Sequence, residues 1–288
     1  MLSNLAELPA EVHTGLGLIF GLLVGSFLNV VIYRYPNLLK YQWTAQSHEW
    51  IHDEPYPAEA PPGIVSPGSR CGNCQAGIRA WQNIPLLSYA LLKGKCANCQ
   101  TSIGLRYPLV ELLTGLMSAY VVHHFGWSIQ AVFGVLLTWI LVALTFIDFD
   151  HQLLPDDIVL PTLWLGLGLS LVPVFAESQD AIIGAIVGYS SLWLVFQLFK
   201  KLTGKEGMGY GDFKLLALLG AWLGWQFLPQ IILVSTIIGS VVGITLIVLK
   251  KANSSNAIPF GPYLALAGWL AMLWGDEFNN LYLRSAGF

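Results

Sequence analysis

The sequence predicts an all-α polytopic membrane protein of about eight transmembrane helices, with a small zinc-ribbon-like cytoplasmic domain between helices 1 and 2. Three observations carry that prediction. Hydrophobic residues make up 55% of the 288-residue chain and charged residues only 11%, where a soluble domain holds roughly 25% charged residues. Apolar runs of about 17–20 residues, long enough to cross a bilayer, recur along the chain. Two Cys-x-x-Cys pairs interrupt the one long polar segment. Mean hydropathy is +0.61, so lipid is the expected surrounding. A formal charge of −3 offers no electrostatic basis for binding nucleic acid.

The first apolar run covers residues 14–33. No Lys or Arg precedes it, so a retained span is expected here and not a cleaved signal peptide. The polar segment 34–107 follows, with Pro55, Pro57, Pro61, Pro62, Pro67 and all four cysteines. Seven closely spaced runs come next, at 108–123, 129–147, 158–175, 181–199, 212–225, 229–249 and 258–274. The sixth of the eight runs, 212–225, is short. The expected organisation is a first span with an outward N-terminus (1–33), a cytoplasmic zinc-binding domain (34–107) and a seven-helix membrane domain (108–288).

Charge sorting orients these spans, because cytoplasmic loops collect Lys and Arg. Eight spans put Arg34, Lys40, Arg70, Arg79, Lys93, Lys95 and Arg106 on one side. Lys200, Lys201, Lys205, Lys214, Lys250 and Lys251 fall on that side too, leaving only Arg284 opposite. The basic side is expected to be cytoplasmic, with both termini outward.

Cys71-Gly-Asn-Cys74 and Cys96-Ala-Asn-Cys99 lie on that side, where thiols stay reduced. Two such knuckles supply four thiolates for a closed tetrahedral zinc site. The segment reads as a weak duplication, since Gln75 and Gln100 follow the pairs, with Ile78 and Ile103 four residues after each second cysteine. A redox dithiol is the other use of Cys-x-x-Cys, but two pairs are present and no βαβ pattern surrounds either. The apolar stretch 83–92 between them is too short to span. It is expected to lie on the bilayer surface or against the helices.

Carboxylates mark the chemistry. An ionised one at the bilayer centre costs roughly 2.5–3.5 kcal/mol on insertion scales, so acidic residues in spans need a task. Asp148 ends the third run and Asp212 begins the sixth, and the orientation above puts both at the cytoplasmic face. If their helices pack, two charges about 4 Å apart repel by about 4 kcal/mol at an effective dielectric near 20. One proton is then shared between them, as in aspartic proteases. Gly207, Gly209 and Gly211 precede Asp212. Without Cβ atoms, Gly209 and Gly211 would let an extended substrate approach, and the turn could take positive φ. The same glycines could equally be helix punctuation, with Asp212 stabilising a first helical turn. Asp150, beside Asp148, is the next candidate, and Glu111 either pairs with Arg106 or serves a second site.

Five motifs in order resemble the type IV prepilin peptidases, the bifunctional leader peptidase/N-methyltransferases. They are Gly25-Ser-Phe-Leu-Asn-Val-Val-Ile-Tyr-Arg-Tyr-Pro36, the cysteine knuckles, Arg106-Tyr-Pro-Leu-Val-Glu-Leu-Leu-Thr-Gly115, Asp148-Phe-Asp-His-Gln-Leu-Leu-Pro-Asp156 and Gly209-Tyr-Gly-Asp212. The resemblance implies cleavage of type IV prepilins and type II secretion pseudopilins at the cytoplasmic face of the bacterial inner membrane. It implies N-methylation of the new terminal residue, usually Phe, by S-adenosylmethionine. It also implies Asp148 and Asp212 as catalytic residues, and structural zinc on Cys71, Cys74, Cys96 and Cys99. No Rossmann-type glycine loop offers a methyl-donor site. Ser26, Asn29 and Arg34 at one end of the first span, with Glu111 at the start of the second, flank the cysteine loop and are the candidates. The alternative class is a transporter using the same carboxylates as a proton or cation relay. Against it, the acidic residues cluster at one face and no span is broken near its middle. A zinc hydrolase is disfavoured because four thiolates leave the metal no open position.

Overall fold

A computed structural model describes residues 9–249 and 258–285. Lys250 and Lys251, counted in the charge bias, lie outside the described residues. Regular structure among those described is helical, with two isolated antiparallel bridges, Arg70 to Gly77 and Lys95 to Ser102. The chain divides into two compact units, residues 1–139 and 140–288.

In the first unit, helix α1 (Ala10–His52) is 43 residues long, about 65 Å at 1.5 Å per residue. It continues well past residue 33, where the apolar run stops. The extension includes the helix formers Arg34, Leu38, Leu39, Lys40, Gln42, Ala45, Gln46 and Glu49 and no glycine. Pro36 lies inside it and supplies no N–H to the preceding turn, and beside it the Asn37 Nδ2 donates to the Tyr33 carbonyl at 2.8 Å. The helix stops where Asp53 turns left-handed, at φ 54°. A short helix α2 (Leu87–Leu91) precedes α3 (Arg106–Phe125).

Helices α1 and α3 pack antiparallel along a ladder of small residues. A Cβ at Gly17 would come within 2.9 Å of Val122, one at Gly21 within 2.5 Å of the Ser118 hydroxyl, and one at Gly25 within 2.8 Å of the Glu111 Cα. Gly115 receives the Leu22 side chain in return. Glycine every fourth residue lets backbones approach in lipid, where van der Waals packing drives association. The buried Thr114 and Ser118 hydroxyls donate back to carbonyls one turn earlier, both at 2.7 Å, so no polar group is left bare.

Helix α4 (Ile129–His151) has its first half in the first unit and its second half in the other. The second unit continues with α5 (Asp156–Leu169), α6 (Ser178–Thr203), α7 (Tyr210–Leu223), α8 (Leu228–Val248) and α9 (Gly261–Ser285). Its core is α7, in which every residue from Asp212 to Leu223 except Lys214 is buried. A helix apolar all round has to be enclosed, and its neighbours supply the room as missing side chains. Gly166 of α5 seats Trp222, Gly184 and Gly188 of α6 face Gly220 and Leu216, and Gly268 of α9 seats Leu219. The Trp222 indole also donates to the Thr162 carbonyl at 2.8 Å.

Every predicted run falls on a helix, with shifted ends. Among the described residues, four helical stretches are long and apolar enough to cross a membrane: α1, α4, α6 and Trp225–Val248, which adds a 3-10 turn to α8. Helices α5 and α7 have 14 residues each, about 21 Å against a hydrocarbon core near 30 Å. The last helix kinks at Trp274, where its apolar run ends, and continues to Ser285.

Candidate active sites and metal centre

Asp148 lies in the last turn of α4 and Asp212 in the first turn of α7. Both are buried, with 6% and 7% of their surface exposed, whereas Asp150 points outward. The two carboxyls are electrostatic neighbours. Asp148 Oδ2 accepts the N–H of Gly261, the first residue of α9, at 3.1 Å. Asp212, third in its helix, lies within electrostatic reach of the N–H of the capping residue Gly209. A carboxyl in a first helical turn is favoured there, so helix punctuation and a sited carboxyl coexist in one residue. Each carboxyl therefore faces a helix N-terminus, where partial positive charge favours an anion.

The glycines near Asp212 act differently from the expectation. None of Gly207, Gly209 and Gly211 has positive φ. Two of them are needed for close packing: a Cβ at Gly207 would meet the Phe199 ring at 2.8 Å, and one at Gly211 would meet Leu154 at 2.8 Å. Gly209 is exposed, and the nearest side-chain atom to its missing Cβ is the Asp212 Oδ2, 3.8 Å away. Only Gly209 leaves open approach to the carboxyl. Leu154, wedged between Gly211 and Gly261, packs against the first turn of α7 and the start of α9. Neither Leu154 nor Gly261 was marked by sequence reasoning, although Pro259-Phe-Gly261-Pro262 is a conspicuous glycine between prolines. The Lys214 ammonium bridges both Asp156 oxygens at 2.7 Å, tying α7 to α5 beside the pair.

In the first unit, Ser26, Asn29, Arg34 and Glu111 all line one cavity of about 550 Å³. Their tasks differ. The Arg34 guanidinium is spent on the Gly63, Pro67 and Gly68 carbonyls at 2.7–3.3 Å, fixing the loop before the first knuckle. Asn29 donates to the Gly25 and Tyr107 carbonyls at 3.3 and 3.0 Å. Glu111 accepts the Leu86 N–H at 2.9 Å, and the Ser26 hydroxyl close by donates to the Asn83 carbonyl at 3.5 Å. The stretch 83–92 thus docks on α3 through a backbone donor, with Leu87 and Leu91 outward.

The knuckles form the opposite wall of that cavity. Their duplication is structural: Cys71 and Cys96 N–H groups donate to the Ala76 and Thr101 carbonyls at 2.9 Å, and Gln75 and Gln100 share φ 58°. The four Sγ atoms lie within 4.8 Å of one another, with Cys71 to Cys99 at 3.8 Å and Cys74 to Cys96 at 4.0 Å. A tetrahedral ion with bonds near 2.3 Å requires sulfurs about 3.8 Å apart, so the cluster could hold a metal such as zinc. Each knuckle's asparagine reaches the other's last sulfur, Asn98 to Cys74 at 3.5 Å and Asn73 to Cys99 at 3.8 Å. The Thr101 hydroxyl and backbone draw the Cys99 thiol down to about 5, and the Asn98 amide lowers Cys74. Both shifts favour the thiolates a metal needs.

Residues 19–125 match the bacterial peptidase A24 N-terminal domain, and residues 135–244 match the type IV leader peptidase family. The prepilin leader peptidase/N-methyltransferase of Pseudomonas aeruginosa is 55% identical over 271 residues, 94% of this chain and 93% of its own. Its counterpart in Aeromonas hydrophila is 50% identical over 288 residues, 99% of each chain. The one in Neisseria gonorrhoeae is 49% identical over 263 residues, 91% of each. The chain belongs to the type IV leader peptidase family. No solved structure matches it. Within this leader peptidase, the cysteines, Ser26, Asn29, Arg34 and Glu111 fall in the first matched region. Asp148 and Asp212 fall in the second, and Gly261 lies beyond both.

Proposed function

We propose that the protein cleaves the leader peptides of type IV prepilins and type II secretion pseudopilins, then N-methylates the exposed terminal residue, usually Phe, with S-adenosylmethionine. The observation that carries this reading is the burial of Asp148 and Asp212, as electrostatic neighbours, inside the region that matches the leader peptidase family. The relatives' printed name, prepilin leader peptidase/N-methyltransferase, supports both activities.

Cleavage is the work of the aspartate pair, which shares one proton. The ionised carboxyl takes a proton from the attacking water. The protonated one polarises the scissile carbonyl and then donates to the leaving amine. The Gly261 N–H keeps Asp148 in position, and the open flank at Gly209 admits an extended peptide beside Asp212. The apparent pKa values belong to the pair.

Methylation takes place in the cavity of the first unit, whose volume suits a cofactor. S-adenosylmethionine, when bound there, supplies a methyl group activated on a sulfonium. Asn29 and Arg34 hold the walls in place, while Ser26 and Glu111 face the ligand. Zinc on Cys71, Cys74, Cys96 and Cys99 is structural, since four thiolates close its coordination.

The eight apolar runs cross the inner membrane, with the cysteine domain (34–107) and the aspartate pair cytoplasmic and both termini periplasmic. The Lys and Arg bias supports this orientation, and the short α7 is enclosed by its neighbours. The test is prepilin cleavage in detergent, where a transporter would show no activity without a sealed vesicle. Asp148→Asn and Asp212→Asn should each lower cleavage by at least 10²–10⁴-fold, the range of acid–base contributions. Full cleavage by either variant ends the assignment.

A further inference from the structure

Glu111 sits at an unusual crossing of constraints. Among the described residues that line the first unit's cavity, it alone bears a carboxylate. It is 9% exposed and lies one turn into α3, opposite Gly25 of α1. Burying a carboxylate is costly unless a donor meets it, and here the N–H of Leu86 does, at 2.9 Å. That residue's φ of 57° and ψ of −45° are strained for any residue with a Cβ. The chain accepts that strain where it turns a backbone N–H onto Glu111. The Ser26 hydroxyl close by donates to the Asn83 carbonyl at 3.5 Å. A carboxylate has about four acceptor positions, so the Leu86 bond leaves capacity toward the cavity. Of the cavity's two arginines, Arg34 is already committed to three carbonyls, and Arg70 lies in the knuckle wall. Its anion is therefore the group left to greet a positively charged ligand.

We propose that Glu111 is the catalytic base of the methylation, receiving the acceptor nitrogen and taking its proton. This rests on the reading that methyl transfer occurs in this cavity. A freshly cut peptide presents an α-ammonium, which has no lone pair. The carboxylate pairs with it and accepts one proton, giving a neutral amine. The nitrogen then attacks the methyl carbon of the sulfonium donor. A C–N bond forms as the C–S bond breaks, and the sulfur keeps the electron pair as a neutral thioether. The positive charge passes to the methylated ammonium, and Glu111 releases its proton to water.

Three readouts on purified full-length protein separate the possibilities: cleavage, transfer of a labelled methyl group across pH 6–9, and photocrosslinking of labelled S-adenosylmethionine followed by peptide mapping. The other charged or titratable groups around the cavity are Arg34 and Arg70, the phenols of Tyr33, Tyr89 and Tyr107, and the metal-cluster thiols. Guanidiniums and phenols as classes titrate above that window. Glu111→Gln should keep cleavage and crosslinking but lose methyl transfer by 10²–10⁴-fold at neutral pH. Its residual rate should climb with pH as the free amine fraction rises, because an α-amino group titrates near 8. Glu111→Asp keeps a carboxylate, so its rate should fall while its pH profile keeps the wild-type shape. That variant carries the test if the glutamine form does not fold. Crosslinks in cavity peptides with an unchanged Glu111→Gln rate and profile overturn the role of Glu111. Crosslinks mapping outside residues 26–111 overturn the cavity reading itself.

Discussion

At the scale of single residues, the aspartate pair depends on a glycine that carries no chemistry. The Gly261 N–H reaches Asp148 Oδ2 at 3.1 Å, and a Cβ on Gly261 would stand 2.7 Å from that same oxygen. Any side chain there must push the carboxyl off its donor. Gly261→Ala should therefore lower cleavage by about 10²-fold, the scale of a 1 Å misplacement, while methylation of a pre-cleaved peptide persists. Unchanged cleavage kinetics would show that the Gly261 contact does not position Asp148. Asp148 and Asp212 were legible in the sequence because charge at the edge of an apolar run is costly and conspicuous. Gly261 was not, because a donor that works through its backbone has no side-chain signature. The paired asparagines were equally hidden, since nothing in Cys-x-Asn-Cys says that the amide serves the other knuckle.

At the scale of elements, helix placement is governed by missing side chains. Helix α7 carries Asp212 and is enclosed by α5, α6 and α9, each of which offers a glycine to it. Gly184 and Gly220 face each other so closely that a Cβ on either would enter the other backbone. Gly184→Ala should separate α6 from α7 and cost about 1–3 kcal/mol, as overpacking does, read as a lower melting temperature in detergent. Cleavage should drop with it because Asp212 moves with α7. A substitution neutral in both would mean that the contact is loose. The same logic explains the short sixth run. Fourteen apolar residues suit a core helix enclosed by others better than a lipid-facing one, and periodicity cannot separate the two. The long α1 ran past its expected end for a related reason: hydropathy marks where lipid stops, and helix propensity marks where the helix stops.

At the scale of the whole molecule, the two candidate sites belong to different units. The aspartate pair lies within residues 140–288, and the cavity with its cysteine wall lies within 1–139. Removing the metal should thus strike the two activities unequally. Treatment with a chelator, or Cys96→Ser, should abolish methyl-donor crosslinking and methylation by unbuilding the cavity wall, while prepilin cleavage falls far less. Equal loss of both would mean that the cysteine domain serves the peptidase as well.

Composition, run length and residue type were enough to predict a helical membrane protein with a four-thiolate module and two marked carboxylates. Each of those follows from the cost of moving a group between water, lipid and metal, and that cost is carried by the residue itself. Tertiary structure alone decided which glycines pack and which stay open, that Asp148 and Asp212 are buried within electrostatic reach of each other, and that Ser26 and Glu111 share one cavity with the cysteines. Those facts depend on the backbone distance between segments far apart in sequence. No local pattern records it, because close approach is made by atoms the sequence leaves out.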